Sequence, residues 1–570
     1  MNDLFTSVPT FSNGCKNPTY FSDWVKSYLL EHGIDTYVFN PGASFRGLHD
    51  SLAMENYNKI IMTCHEEIAV SFAHGYYKAS GKIICVLIHA NVGLLHSSMA
   101  IFNAWCDRVP LLCLVGNGPL DAAKRRPWID WIHTAHDILA PIRGYTSFSS
   151  VSTDQWGIAN DIKRAIRIAV SESHLGPAVV ALDSYLQEMH TDPKVINLGL
   201  ADIKKKRIEL QSDELIRISK LLSQAKKPLF IIERAGRQKG IMNAFINLSK
   251  CLGYDIPVIE CGYYENAITI NNENLWFRIE TVIFDEYPDL IITLDTIDPL
   301  GYLSSIIDLN LLSETLFINI NTPGLCPSGW SSDTGIDPPG SICNCDIVLF
   351  LNKLSQIIPT TKKKVKNYLR HKTLTSSKLS MIIEKIYLTL EKNKIDYRIV
   401  NGGSNETDKI IRHTFNFKSE SQFLGMNGGG GLGYGLPASM GAAFSIFKYT
   451  PETLSIAFLG DGDFMYTPSS LWTASAKKIP LLIIIVNNGE YSNSLTHAQD
   501  IAHKRSRSTS PRIATTFDES AIDFEKLAQS FSIESSSVDG NDLNILSEKI
   551  NKAIRFINKT NESYILNIKV

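Results

Sequence analysis

The chain is short of the features that mark most non-enzymatic classes of protein. Its ten cysteines, Cys15, Cys64, Cys85, Cys106, Cys113, Cys251, Cys261, Cys326, Cys343 and Cys345, include no Cys-x-x-Cys pair, and none lies in the last 225 residues. They read as reduced, scattered thiols, not as a disulfide framework. Cys343 and Cys345 stand close together but lack a second pair at zinc-site spacing, which argues against a structural metal there. There is no excess of basic residues either: 56 Lys plus Arg stand against 58 Asp plus Glu, a net charge of −2. A phosphate-backbone partner would require a basic surplus, so no nucleic acid is expected. No run reaches the roughly 18 apolar residues of a membrane span. The opening MNDLFTSVPTFSNG has no basic stretch ahead of an apolar one. These absences predict a cytoplasmic protein with no membrane partner.

What is present is an average globular composition, 44% hydrophobic and 20% charged over 570 residues, enough for several domains with ample cores. Short β-branched runs alternate with helical periodicity, which predicts an α/β fold of parallel sheets. Strands are expected at TYVFN (36–40), IIMTC (60–64), KIICVLI (82–88) and PLLCLVG (110–116). In the middle they are expected at PLFIIE (228–233), DLIITLD (289–295) and TLFINI (315–320), and near the end at LSIAFLG (454–460) and LLIIIV (481–486). Helices are expected over Glu67–Ala79, through Ile68, Phe72 and Tyr76, and over Leu94–Trp105, through Met99, Phe102 and Trp105. Basic stretches at Lys204–Arg207 and Lys362–Lys364 read as solvated linkers and suggest boundaries near 200 and 370. The first and last blocks read as similar sheets used twice.

The most informative stretch runs from Gly460 to Tyr491: strand, Gly-Asp-Gly turn, a helix beginning near Thr467 and Pro468, strand, then Asn-Asn-Gly. A right-handed crossover makes the two strands parallel, so Asp461 and Asn488 leave the same sheet edge despite the 27 positions between them. A carboxylate, an amide oxygen and a backbone carbonyl just beyond are hard oxygen ligands. They leave positions open on an octahedral Mg²⁺ for two phosphate oxygens and water. A calcium EF-hand loop is excluded, because Met465 and Tyr466 stand where an acceptor and a glycine are required.

This segment resembles the thiamine-diphosphate-dependent enzymes of the decarboxylase and acetolactate synthase superfamily, whose cofactor motif is GDG, about two dozen residues, then NN. Here 24 residues separate Gly462 from Asn487. The resemblance extends over nearly the whole chain and implies three doubly wound parallel-sheet domains. These are a pyrimidine-binding domain (15–190) carrying an activating Glu, a central Rossmann-like domain (205–358), and a diphosphate- and Mg-binding domain (375–570). It implies Asp461, Asn488 and the carbonyl of Glu490 as metal ligands, with Gly460, Gly462 and Asp463 beside the cofactor. In GGGGLGYGLPASMGAA (428–443), Gly430 would accept a hydrogen bond from the aminopyrimidine and Leu432 would hold the cofactor bent. The same glycines formally satisfy G-x-G-x-x-G, so a nucleotide-dependent oxidoreductase is the alternative from another class. That fingerprint, however, belongs after the first strand of its domain, with an acidic residue about 20 positions on.

Glu66, in the pair His65-Glu66, matches the family's activating glutamate, whose proton at N1′ of the pyrimidine favours the imino tautomer that deprotonates the thiazolium. His89, at a strand end, matches the histidine of benzoylformate decarboxylases, the members nearest in motif, which share Asn-Ala-Trp (103–105). Ala43 stands where those enzymes place a serine. The chain has no adjacent His-His pair of the pyruvate decarboxylase kind and no Gly-Pro-Gly run of the acetolactate synthase kind. Arg125, Arg126, Trp128, Trp131 and His133, in AKRRPWIDWIHTAHD (123–137), are candidates for substrate contact, while His96, inside a helix, is the weaker histidine. The implied activity is non-oxidative decarboxylation or carboligation of a 2-oxo acid through a C2-carbanion/enamine, with acetolactate-synthase-like acyl transfer or acyloin cleavage as alternatives. The implied cofactors are thiamine diphosphate and Mg²⁺. FAD is not expected, since KPLFIIERAGRQKG (227–240) lacks a glycine fingerprint. A homodimer is the minimum assembly, a homotetramer the next, and the small-molecule partner is a 2-oxo acid or aldehyde.

Overall fold

Runs such as Leu454–Gly460 and Leu482–Asn487 are buried almost end to end, which only a strand covered on both faces can tolerate. The computed structural model describes residues 18–53, 59–171, 175–201, 207–262, 276–323, 338–359, 368–372, 376–507, 512–517 and 519–570. The linker lysines Lys204–Lys206 and Lys362–Lys364, with Cys15 and Cys326, lie outside these residues.

Strands β1 (Tyr37–Phe39), β2 (Ile60–Met62), β3 (Cys85–His89), β4 (Leu111–Asn117), β5 (Phe148–Ser150) and β6 (Pro177–Asp183) form a parallel sheet in the order β2-β1-β3-β4-β6-β5. A second sheet uses β7 (Pro228–Ile232), β8 (Val258–Glu260), β9 (Trp276–Arg278), β11 (Leu290–Leu294), β12 (Leu316–Asn321) and β13 (Ser341–Asn344). Their order is β13-β12-β11-β7-β8-β9, which is the doubly wound arrangement of Rossmann sheets. An antiparallel pair, β10 (Val282–Phe284) with β14 (Leu369–His371), stands beside it. The last sheet, β15 (Tyr397–Gly402), β16 (Leu454–Gly460), β17 (Leu482–Asn487), β18 (Glu534–Asp539) and β19 (Tyr564–Lys569), is parallel and ordered β15-β16-β17-β19-β18. With β2 set aside, the first sheet runs in the same sense, β1-β3-β4-β6-β5. The three sheets with their covering helices are the α/β fold expected from the sequence.

The helix Glu66–Ser80 begins one residue before its expected start and ends at Gly81, whose φ of 68° is the left-handed stop that glycine adopts without strain. The helix Ala90–Cys106 is longer than expected and presents a different face. Leu94, Ala100, Ile101 and Ala104 are buried, whereas Met99 is 36% exposed, so of the three expected core residues only Trp105 is fully buried. A spacing of three drifts around a helix of 3.6 residues per turn and leaves the core face after two steps. The Gly-Asp-Gly segment, expected as a turn, winds into a short helix, Asp461–Phe464, and the next helix starts at Ser470, after Thr467 and Pro468.

One apolar cluster joins the first and last sheets, running from Val38, Val86 and Val115 through Leu436 and Met440 to Ala457, Ile483 and Ile565. At its centre the helix Glu66–Ser80 crosses the helix Gly435–Tyr449. A Cβ on Gly75 would lie 1.9 Å from the carbonyl oxygen of Ala438, and one on Gly441 would lie 1.9 Å from that of Phe72. Only glycine lets the two backbones touch. The middle sheet is fastened to the last by buried charge: Arg412 pairs with Glu260 and, at 2.9 Å, with Asp408, while Arg278 approaches Glu260 at 3.7 Å. Among the described residues no helix is long and apolar enough to cross a membrane.

Candidate active site

β16 and β17 are parallel neighbours in which Gly460 pairs with Val486, so the residues after each strand emerge on one edge. Asp461 is buried there. Its Oδ2 accepts from the Gly489 N–H at 2.8 Å and its Oδ1 from the Gly462 N–H at 3.0 Å. Asn488 sits across from it, with Oδ1 accepting from the Glu490 N–H at 3.1 Å and Nδ2 donating to Ser492 Oγ. Burial pushes the Asp461 carboxyl above the usual range, the Gly489 and Gly462 amides pull it back, and Glu490 raises it again. A desolvated carboxylate beside an amide oxygen, with a second acid nearby, suits a hard divalent cation. A Cβ built on Gly430, Gly460 or Gly489 would meet nothing within 4 Å, so open space borders the cluster. Asp463 points elsewhere: its Oδ1 accepts from the Gly433 N–H at 2.7 Å, and burial pushes its pKa up to about 6.

On the first sheet, Glu66 is the first residue of its helix and is buried. The helix Ala90–Cys106 passes so close that a Cβ on Gly93 would fall 2.9 Å from Glu66 Oε1. Glu66 Oε2 lies 3.3 Å from His96 Nδ1. His65 caps the helix, its Nδ1 accepting from the Glu67 N–H at 3.2 Å, and its ring stacks on that of His96 with centroids 4.7 Å apart. His89 ends β3. Its Nδ1 is 2.9 Å from Ser44 Oγ, and the His133 ring meets it edge-on at 5.1 Å. Burial, then the neighbouring His133, holds the His89 pKa below the ordinary imidazole value, with Glu66 opposing.

The glycine-rich segment bridges the two edges. Asn103 brackets Gly431, Nδ2 donating to its carbonyl at 3.3 Å and Oδ1 accepting from its N–H at 3.2 Å. Thr467 Oγ1 donates to the Gly433 carbonyl at 2.9 Å. A Cβ on Gly433 would lie 3.3 Å from Glu67 Oε1. Burial and the nearby Asp463 both push the Glu67 carboxyl up. Leu432 is exposed. The segment opens the helix Gly435–Tyr449 but does not follow the first strand of its sheet, β15, which leads instead to the helix Asn405–Thr414. The context that a dinucleotide fingerprint needs is therefore not present.

Of the other candidates, the structure gathers His133 beside His89 and turns Arg125 back on its own loop, where its guanidinium donates to the carbonyls of Pro119 and Leu120 at 2.8 and 3.0 Å. Arg126 is paired with buried Asp130 at 2.8 Å. Trp128 and Trp131 project outward, 70% and 68% exposed, and Ala43 is exposed as well. Sequence reasoning passed over Ser44, one residue beyond Ala43, and ranked His96 below His89, although it is His96 that touches Glu66. The only signal for Ser44 was its position after Pro41-Gly42 at the end of β1.

Fold and site together define an α/β enzyme built from two related parallel-sheet units around a shared apolar core, with a third sheet between them in sequence. The family is shown by two matches: the N-terminal TPP binding domain of thiamine pyrophosphate enzymes over residues 20–140 and the C-terminal TPP binding domain over residues 406–568. The chain belongs to the thiamine pyrophosphate enzymes. It is 26% identical to the acetolactate synthase large subunit of Lactococcus lactis, over 94% of this chain and 91% of that one. Its fold is shared with the thiamine diphosphate-dependent 4-hydroxybenzoylformate decarboxylase of Rhodococcus jostii, at 18% identity, TM-score 0.76, and 97% and 99% of the two chains. The benzoylformate decarboxylase of Polynucleobacter necessarius matches at 16% identity, TM-score 0.77, and 97% and 98% coverage.

Proposed function

We propose that the chain is a thiamine-diphosphate- and Mg²⁺-dependent lyase or transferase that decarboxylates a 2-oxo acid without oxidation and passes the acyl unit to a proton or to a second carbonyl. The observation that supports the reading is a buried carboxyl at the edge of each of two related sheets, Glu66 on the first and Asp461 beside Asn488 on the last; as in the family, each cofactor would span two subunits, taking the glutamate from one and the metal cluster from the other. Asp461, Asn488 and the Glu490 carbonyl would hold Mg²⁺, and Gly460 and Gly462 would line the diphosphate, while Asp463, expected beside the cofactor, instead fixes the Gly433 N–H. Gly430 would meet the aminopyrimidine and Leu432 would prop the bend. Bound thiamine diphosphate supplies a carbon acid that adds to a ketone and takes up the electrons freed with CO₂. Glu66 holds the proton that activates the pyrimidine at N1′. His89, its Nδ1 occupied by Ser44, keeps Nε2 available for proton transfer to the substrate-derived carbon, with His133 beside it.

A homodimer fits the exposed apolar side chains Val92, Leu95, Met99, Trp128 and Trp131 that flank the Glu66 region, an area a monomer in water would not favour. The cytoplasm is the compartment that suits eight free thiols among the described residues. No flavin is proposed. In the middle sheet, the carboxylate of buried Glu233, just past β7, accepts from the Ile297 N–H at 2.8 Å and from the Tyr302 hydroxyl at 3.2 Å. Two outcomes follow the same first half, acyl transfer to a second carbonyl, as the name of the acetolactate synthase relative suggests, and protonation to an aldehyde. The test is to strip the protein with EDTA, restore Mg²⁺ and thiamine diphosphate separately and together, and measure CO₂ from aliphatic and aromatic 2-oxo acids with and without aldehyde acceptors. Activity only with both additions is expected. Turnover indifferent to either, or no CO₂ and no acyloin from any of these acids, would overturn the proposal.

A further inference from the structure

Glu66 is enclosed by the backbone at Gly93, and the polar side chain that reaches its second oxygen is His96. Within one protomer the two differ sharply in access: the side chain of His96 is 57% exposed, that of Glu66 only 5%. His65 stacks flat against the outer imidazole and cannot replace it, because its own Nδ1 is committed to the Glu67 N–H as the helix cap. Among the described residues, the titratable groups facing His96 are His65, Glu66 and Glu67, and His89 in turn interacts with Glu66.

We propose that His96 is a positioning residue that also moves the proton of Glu66 between the buried carboxyl and the water of the cleft; the proposal rests on the reading of Glu66 given above. A carboxyl that must release and regain one proton inside a closed pocket needs a partner that can accept on one side and donate on the other, and an imidazole has two such atoms. In the outward step the Glu66 O–H bond breaks, an N–H bond forms at His96 Nδ1, and the Nε2 proton leaves to water. The ring is then the Nδ1–H tautomer. In the return step Nδ1–H gives its proton to the carboxylate while Nε2 takes one from water. One proton enters for each that leaves, and no other bond changes. The stacked His65 ring holds the shuttle in line without taking part.

The test is the exchange of the C2 proton of bound thiamine diphosphate for deuterium in the holoenzyme, followed by acid quench and NMR, in the wild type, Glu66→Gln and His96→Gln. Glutamine keeps a hydrogen-bonding group near Glu66 but cannot carry a proton through. Glu66→Gln should abolish exchange. His96→Gln should slow it by roughly ten- to a hundredfold, with cofactor affinity read from tryptophan fluorescence unchanged, and added imidazole should restore the rate. Wild-type exchange in His96→Gln with a dead Glu66→Gln overturns the shuttle and leaves the Glu66 reading standing. Wild-type exchange in Glu66→Gln overturns both. Slowed exchange that imidazole does not rescue, or that follows a loss of cofactor affinity, reduces His96 to a structural role and also overturns the shuttle. Because residue 96 is exposed, Gln is accommodated; if it lowers the melting temperature, His96→Asn is judged by the same criteria.

Discussion

Apart from the added edge strand β2, the first and last sheets share a strand order, β1-β3-β4-β6-β5 against β15-β16-β17-β19-β18, yet their carboxyl edges carry opposite chemistry. The first edge presents a carboxyl surrounded by imidazoles, Glu66 with His65, His96 and His89, in a setting suited to moving protons. The last presents Asp461, Asn488 and Glu490 around open glycines, in a setting suited to holding a cation and an anion. A doubly wound sheet places its loops at one edge whatever the chemistry, so two copies of one scaffold can be assigned a proton and a metal separately. The middle sheet has a different order and meets its neighbours through buried charge, which sets it apart from the pair.

If the two edges divide the work in this way, damage to each should show a different signature. Glu66→Gln should cut turnover by about 10²- to 10⁴-fold, the usual worth of a general acid, while cofactor and Mg²⁺ stay bound. Asp461→Asn should instead weaken Mg²⁺-dependent cofactor retention by about 10²- to 10⁴-fold, as expected for loss of about 3–5 kcal/mol of buried charge pairing. Equilibrium dialysis beside turnover separates the two, and identical defects would end the comparison. Next in size, Gly441→Leu places side-chain atoms against the Phe72 carbonyl and should cost about 1–3 kcal/mol in thermal stability, with both edges losing function together because one core carries both. Unchanged melting would mean that the helices do not need their close crossing. Smallest of all, Ser44→Ala removes one hydrogen bond, about 1 kcal/mol, from His89. Burial lowers the folded pKa of His89, so the protein loses stability as pH falls below the unfolded imidazole value near 6.5. The variant should move the acid limb of activity without touching cofactor affinity, and a pH–rate profile reads this directly.

Several elements were legible because their side chains declare them. Leu482–Asn487 is apolar enough to have no other home than a central strand, and β16 with β17 follows from the same reasoning. Other elements were not. β18 reads Glu-Ser-Ser-Ser-Val-Asp with one aliphatic residue, and it becomes a strand because β19 offers it a ladder. In the site, the nearness of Asp461 to Asn488 followed from parallel strands, whereas the contact of His96 with Glu66 joins residues whose sequence spacing carries no periodic signal.

The amino-acid order alone determined the most apolar central strands, the parallel crossover and hence which oxygen ligands leave one edge, since these depend on local periodicity and on the handedness of a chain of L-residues. Tertiary structure alone decided which imidazole reaches Glu66, that Arg125 folds back on its own loop, and that two glycines let the halves touch. Those outcomes depend on the close packing of side chains distant in the chain, and no one-dimensional pattern encodes such distances.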